Sequence, residues 1–120
     1  MARPSLAVAF GVGRAVVGAA LLAVPGRVTR TWVGASDTPA QVLARCLGGR
    51  DLVIGAGTAA TAAGGGDPTP WLLGGVLADA IDGAATFCAG ERIPRNGRLG
   101  TTALAAGSAL FGIWLARAVE

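Results

Sequence analysis

The chain has 120 residues, room for one domain, and 52% of them are hydrophobic while only 14% are charged. A soluble domain carries roughly 25% charged residues, so this chain has too little polar surface to cover itself in water and is predicted to fold in a lipid bilayer. It has no His, the commonest general base and a common metal ligand, and its ten basic residues, all Arg, are scattered, which argues against a metal site and against nucleic-acid binding.

Glycine occupies 20 positions, most of them inside apolar segments. In a soluble helix each Gly costs about 1 kcal/mol relative to Ala, whereas in a membrane small residues let two helices approach closely. The composition therefore predicts membrane helices that pack through small residues.

Four apolar segments are long enough to cross a bilayer. They predict an all-α fold, a four-helix transmembrane bundle with antiparallel up-down topology, in a single domain covering residues 1–120. The predicted helices span about residues 6–24, 39–63, 70–89 and 99–119.

The first helix is expected to end at Pro25 and Gly26, which together break a helix. The polar connector that follows contains Arg27, Arg30 and Trp32, a combination typical of an anchor at the membrane interface. This connector predicts that the first and second helices are antiparallel neighbours.

The second helix is expected to begin with a capping box. Thr38 is interpreted as the N-cap, Pro39 as the first helical residue and Gln41 as the third. The triple glycine at 64–66 is expected to end this helix.

Charged residues lie on the small-residue faces of the first three helices, because steps of three and four residues bring side chains to one face. The faces are Gly11, Arg14, Gly18 and Leu21; then Ala44, Gly48, Asp51, Gly55, Thr58 and Ala62; then Gly75, Asp79, Asp82 and Thr86. The fourth helix has no charge before Arg117 and is expected to be an apolar wall.

The charges on these helices fall at similar depths when the helices are placed antiparallel. They predict a balanced network near the bilayer midplane, which could bind a ligand or could only hold the helices in register. Its members are Arg14, Arg45, Arg50, Asp51, Asp79 and Asp82.

The N-terminal segment has some features of a signal peptide, but Arg14 interrupts its apolar stretch and no clear cleavage site precedes a polar region, so it is expected to be retained. Arginines are concentrated in loops 25–38 and 90–98. The positive-inside rule then predicts a multi-pass protein of the cell membrane with these loops in the cytoplasm and both termini outside.

Cys46 and Cys88 lack the spacing of a metal site and lie inside apolar segments. They are interpreted as small buried packing residues, with a disulfide as the alternative.

Two motif matches cover only short stretches. The segment 51–60, DLVIGAGTAA, resembles a dinucleotide-binding fingerprint but leaves no room for the crossover helix that should follow. Asp79, Asp82 and Gly83 resemble the start of the CDP-alcohol phosphotransferase signature, which continues with an Ala-Arg pair where this chain has Thr86 and Phe87.

A broader resemblance is carried by features spread along most of the chain. They are Arg14 before Leu22 and Pro25, Trp32 to Gly34, Arg45 to Asp51 (RCLGGRD), Ala78 to Asp82 (ADAID), and Pro94 with Arg95. In these features the chain resembles small actinobacterial four-helix membrane proteins catalogued as a domain of unknown function and loosely similar to the DoxX-like proteins. The resemblance implies the four-helix architecture and no specific activity.

The favoured hypothesis is an integral membrane protein whose charged network forms a small polar binding site. The alternatives are a structural or assembly subunit of a larger membrane complex, and a membrane enzyme or proton or solute transporter that uses Asp79 and Asp82. Expected partners are the lipid bilayer and either a second copy of the chain or another membrane protein, with no nucleic acid, no cofactor and no metal.

Overall fold

The computed structural model describes residues 2–120, which are all α-helical apart from short connections and contain no strand. Five α-helices follow one another, with a 3₁₀ turn at Gly90–Arg92 before the last. The α-helices are α1 Ala2–Ala23, α2 Pro25–Trp32, α3 Thr38–Ala63, α4 Thr69–Cys88 and α5 Arg95–Val119.

Helix α2 occupies the segment that the sequence predicts to be a polar connector. The chain bends at Val24, which has φ −131° and ψ 53°, and Pro25 then begins a new helix instead of only ending the previous one. Proline suits a first helical position because its fixed φ is helical and its missing N–H would have no helical partner there.

The N-cap of α3 is Asp37, one residue before the predicted Thr38. The Asp37 carboxylate accepts a hydrogen bond from the Ala40 backbone N–H at 3.1 Å, and the Gln41 amide donates to the Ser36 carbonyl at 2.8 Å. The predicted capping box is therefore wrong by one residue, because Asp caps a helix at least as well as Thr.

Three helical stretches are long and apolar enough to cross a membrane. They are Arg3–Ala23, Thr69–Cys88 and Arg95–Val119, with mean hydropathies of 2.0, 1.3 and 1.5. The 26-residue α3 is not among them and contains Arg45, Arg50 and Asp51. These properties are those of a membrane protein.

The distribution of side chains is the reverse of that in a soluble domain. Large apolar side chains face outward; among the most exposed are Val16, Leu43, Leu77, Leu104 and Leu110, each more than 60% exposed. The interior instead holds Ala and Gly together with Thr and charged residues, and among residues 3–120 only Leu72 and Leu115 are large side chains in full burial. Such an interior is stabilised by close helix packing, and the outer surface suits lipid.

Helices α1 and α3 pack through facing glycines. A Cβ added to Gly18 would lie 2.5 Å from the Gly48 carbonyl oxygen, and one added to Gly55 would lie 2.5 Å from the Gly11 carbonyl oxygen. Gly11 of α1 therefore faces Gly55 of α3, and Gly18 faces Gly48. The two helices run antiparallel, with their backbones in direct contact.

Helices α4 and α5 form a second close pair. A Cβ on Gly83 would meet the Ala105 side chain at 3.2 Å, and one on Gly112 would meet Val76 at 2.8 Å. The α1–α3 pair and the α4–α5 pair are joined where Trp71 of α4 covers Gly57 of α3.

Candidate functional site

Five of the six charged residues predicted for the network lie together, and we call these five the charged cluster. Helix α1 supplies one of them, α3 two and α4 two. The members are Arg14, Arg50, Asp51, Asp79 and Asp82, linked by four ion pairs.

Arg14 is the member that contacts most helices. Its guanidinium donates to Asp51 at 3.3 Å, to Asp79 through a short hydrogen bond, and to the Ser108 hydroxyl of α5 at 3.3 Å. The guanidinium carbon also lies 5.9 Å from the centre of the Phe10 ring, within the range of a cation–π contact. Only 8% of the Arg14 side chain is exposed, so its charge depends on these partners.

Arg50 binds Asp82 with both terminal nitrogens, and one of the two hydrogen bonds measures 2.9 Å. It also donates to Asp51 from Nη2 at 3.1 Å and from Nε at 3.3 Å. A two-pronged guanidinium–carboxylate pair fixes direction as well as distance. Asp51 Oδ1 is thus shared between Arg14 and Arg50 and links the two halves of the cluster.

Arg45 does not belong to the cluster, and its predicted membership is wrong. Its side chain is exposed and makes no ion pair with any residue in 2–120. Five residues along a helix correspond to a rotation of about 140° from the direction of Arg50. Comparison of depths along α3 does not distinguish one face of the helix from another.

Without Arg45 the charged cluster contains two guanidinium groups and three carboxylates, so its formal charge is −1. Asp51 Oδ1, Asp79 Oδ2 and both oxygens of Asp82 accept hydrogen bonds. Among residues 2–120 no hydrogen bond reaches Asp51 Oδ2 or Asp79 Oδ1. The side chains of Asp51 and Asp79 are 12% and 11% exposed, so these two oxygens are acceptors on largely buried carboxylates with no partner among the same residues.

A cavity of about 890 Å³ lies between α1 and α5 and reaches the cluster. Arg14, Asp51, Asp79 and Asp82 form its polar part. Its walls are largely apolar and come from α1, α2 and α5; they include Phe10, Val17, Leu21, Val28, Trp32 and Leu104. Beyond the cavity α1 and α5 meet at Phe10 and Phe111, whose ring centres are 5.1 Å apart.

Helix α2 closes one end of this cavity. The Trp32 indole donates a hydrogen bond to the Thr86 hydroxyl of α4 at 3.2 Å, and a Cβ on Gly97 of α5 would lie 2.7 Å from the Thr31 carbonyl oxygen. Trp32 is therefore partly buried against α4 and α5. The neighbouring loops also meet, since a Cβ on Gly34 would lie 2.9 Å from Pro94.

The two cysteines and the glycines of segment 51–60, which the sequence also singled out, do not belong to the charged cluster. Cys46 and Cys88 are free and exposed, so the prediction of buried packing residues is wrong and the alternative disulfide is not formed. The glycine-rich segment 51–60 lies wholly within α3, where Gly55 contacts α1 and Gly57 contacts Trp71. These glycines serve helix packing, without the strand and turn that a dinucleotide site requires.

Ser108 is the site residue that the sequence did not predict. It lies on a helix expected to be an apolar wall, one turn from Ala105, which packs on Gly83. Gly112 of α5 contacts Val76 of α4, as Ala105 contacts Gly83. Ser108 lies between these two contacts, which places it near Asp79 of α4. The small residues Ala105, Ser108 and Gly112 recur at helical spacing, and this pattern is the sequence feature that could have indicated a contact of α5 with α4.

Comparison of the chain with protein-family models, with curated proteins and with solved structures finds no match.

Proposed function

We propose that this chain is a multi-pass integral membrane protein that binds a lipid-soluble molecule between α1 and α5, with the charged cluster as the polar end of the site. The observation that carries this proposal is the cavity of about 890 Å³, whose largely apolar walls lead to Arg14, Asp51, Asp79 and Asp82. Apolar walls with a few converging polar groups are typical of small-molecule sites. Ionisable residues held within a membrane segment commonly serve function.

The proposed architecture is a four-helix transmembrane bundle with antiparallel up-down topology, in which α3 is the fourth span. Its 26 residues correspond to about 39 Å of helix, more than the bilayer core requires. Arg50 and Asp51 are paired with each other and with Asp82 and Arg14, which lowers the cost of placing them in lipid. Glycine contacts with α1 support the same placement.

Access to the proposed site is sideways, from the bilayer. The helices on either side of the cavity expose Val16 and Val17 on α1 and Leu104 on α5. At one end α2 covers the cavity through its contacts with Thr86 and Gly97. A molecule dissolved in lipid therefore reaches the cluster without crossing the membrane surface.

The proposed orientation has loops 25–38 and 90–98 in the cytoplasm and both termini outside. These loops contain Arg27, Arg30, Arg92, Arg95 and Arg98 and lie beside one another, as the contact of Gly34 with Pro94 shows. The same proposal includes a similarity of the chain to four-helix DoxX-like membrane proteins. It also includes assembly of the chain with a second copy of itself.

One observation favours a second candidate, a structural or assembly subunit. The charged cluster joins α1, α3 and α4, with Arg14 also reaching α5, and such a network can hold helices in register without binding a ligand. The two candidates predict different effects of Asp79→Asn. If the cluster is only structural, the variant loses stability and no compound stabilises the wild type.

The test is thermal unfolding of the purified full-length chain in detergent, with neutral, anionic and cationic amphiphiles and quinones added one at a time. Under the binding proposal at least one compound stabilises the wild type, by about 2.7 kcal/mol at a concentration of 100 Kd. Asp79→Asn leaves two carboxylates for two guanidinium groups, so we expect it to fold with a Tm near that of wild type and to lose the ligand-induced shift. Glu91→Gln removes an exposed carboxylate outside the cavity and should keep the shift.

A further inference from the structure

We propose that the molecule bound between α1 and α5 is a lipophilic organic cation, an ammonium or phosphonium group carrying apolar substituents. This inference rests on the proposed function and adds the sign of the ligand's charge. It follows from the charge of the cluster, the free carboxylate oxygens and the composition of the cavity walls.

The charges that line the cavity are unequal. One guanidinium, that of Arg14, lines it together with the carboxylates of Asp51, Asp79 and Asp82. Arg50 does not line the cavity and binds Asp82 and Asp51 from behind, which brings the whole cluster to −1. An uncompensated charge in a low-dielectric interior is costly, and a cation in the cavity offsets that cost.

The unoccupied acceptors belong to the same carboxylates. Asp51 and Asp79 both line the cavity, their side chains are 12% and 11% exposed, and among residues 2–120 each has one oxygen that accepts no hydrogen bond. These oxygens accept N–H groups of an ammonium ion or face the positive centre of a quaternary ion. An anionic head group would meet three carboxylates and only one guanidinium.

The rest of the cavity suits the apolar substituents of such a cation. Val17, Leu21 and Leu104 form apolar walls, and Phe10 and Trp32 add aromatic rings, which attract cations at their faces. The Arg14 guanidinium lies between Asp51 and Asp79 and hydrogen-bonds to one oxygen of each. A bulky cation can approach the other oxygen of each carboxylate without displacing Arg14. The volume of about 890 Å³ accommodates a drug-sized molecule.

The test compares two ions of nearly the same shape and opposite charge, tetraphenylphosphonium and tetraphenylborate, with triphenylphosphine oxide as a neutral probe. Binding to the full-length chain in zwitterionic micelles is measured by equilibrium dialysis, with protein-free micelles subtracted. We expect the phosphonium to bind at least tenfold more tightly than either other probe. Asp79→Asn should weaken phosphonium binding at least tenfold, and Glu91→Gln should leave it within twofold of wild type.

Asp79→Glu provides a second variant that keeps the charge, and it should retain the preference for phosphonium over borate. Equal or tighter binding of borate or of the neutral probe by the wild type would overturn the cation inference while supporting a site for lipid-soluble molecules. Absence of binding by all three probes overturns the inference as well. The proposed function fails with it only if no compound in the wider amphiphile and quinone panel stabilises the protein.

Discussion

Arg14 connects side chains of three other helices from a single position on α1. It donates to Asp51 on α3, Asp79 on α4 and Ser108 on α5. Because the cluster already contains one more carboxylate than guanidinium groups, loss of a cation and loss of an anion are not equivalent. Removal of Arg14 raises the imbalance to −2, whereas removal of Asp79 abolishes it.

We therefore predict that Arg14→Gln destabilises the folded state by about 3–5 kcal/mol, the usual cost of leaving buried charges without a partner. Denaturation by sodium dodecyl sulfate in mixed micelles measures this free energy of unfolding. Adding Asp79→Asn to Arg14→Gln should recover part of the loss, because it removes one of the stranded carboxylates. The control Arg45→Gln changes an exposed Arg that forms no ion pair with the residues the structure describes, and it should stay within about 0.5 kcal/mol of wild type. Equal losses for Arg14→Gln and Arg45→Gln would contradict the prediction.

The sequence determines how far along its helix each charged residue lies, but it does not always reveal towards which neighbouring helix the side chain points. Asp51 and Arg50 are adjacent and both reach partners, because the long guanidinium of Arg50 bends to Asp82. Arg45 has the same length but starts from a face about 140° away from that of Arg50. The pairing of Arg14 with both Asp51 and Asp79 depends on how close three helices come, which the spacing of residues on each helix does not determine.

Helix α3 shows how the position of a glycine decides its role. Gly48 and Gly49 are neighbours in the chain, yet a Cβ on Gly48 would lie 2.7 Å from the Gly18 carbonyl oxygen, while a Cβ on Gly49 would meet nothing within 4 Å. Only the first lies in the contact with α1. The second tolerates a side chain and carries only the helix-propensity cost of glycine.

We predict that Gly48→Ala destabilises the protein by about 1–3 kcal/mol, because backbone atoms of α1 cannot move aside for the new methyl group without separating the helices. Gly49→Ala is the matched control and should be neutral or stabilising by up to about 1 kcal/mol. The same micellar denaturation compares the two variants. A larger loss for Gly49→Ala than for Gly48→Ala would show that α1 and α3 pack through a different face.

The interior face of α3 could be predicted because its small residues repeat at helical spacing. All six residues assigned to it, Ala44, Gly48, Asp51, Gly55, Thr58 and Ala62, are buried. Helix α2 was not predicted, because its eight residues make only about two turns and begin with Pro and Gly, which also end helices. Its position depends on the Trp32 hydrogen bond to Thr86 and on the close approach to Gly97, both contacts between distant parts of the chain.

The whole molecule has one arginine-rich end and an opening on one side. The α1–α2–α3 and 3₁₀–α5 connections share the end where Gly34 meets Pro94, and the cavity lies between α1 and α5. The four long apolar segments predicted the all-α class, because a segment that crosses a bilayer as a helix satisfies its backbone hydrogen bonds internally. The cavity could not be predicted, since it depends on how far two helices that are distant in sequence separate from each other.

We predict that the C-terminus lies outside the cytoplasm, because the five arginines of loops 25–38 and 90–98 favour the cytoplasmic side. A C-terminal alkaline phosphatase fusion to the full-length chain should be active, and the matched fusion to green fluorescent protein should be dark. Replacing Arg92, Arg95 and Arg98 by Ala should shift both signals toward a mixed population. A fluorescent and phosphatase-inactive pair would place the arginine-rich end outside.

The proposed placement of α3 as a fourth membrane span has a consequence for biogenesis. Arg50 and Asp51 make this helix a poor substrate for insertion on its own, and the partners that neutralise them come from α1, which is synthesised earlier, and from α4, which is synthesised later. Helix α3 is therefore expected to leave the translocon beside α1, held by the glycine contacts, and to settle fully only when Asp82 arrives. Under the proposed four-helix architecture, we expect membrane insertion and tertiary folding to be one process.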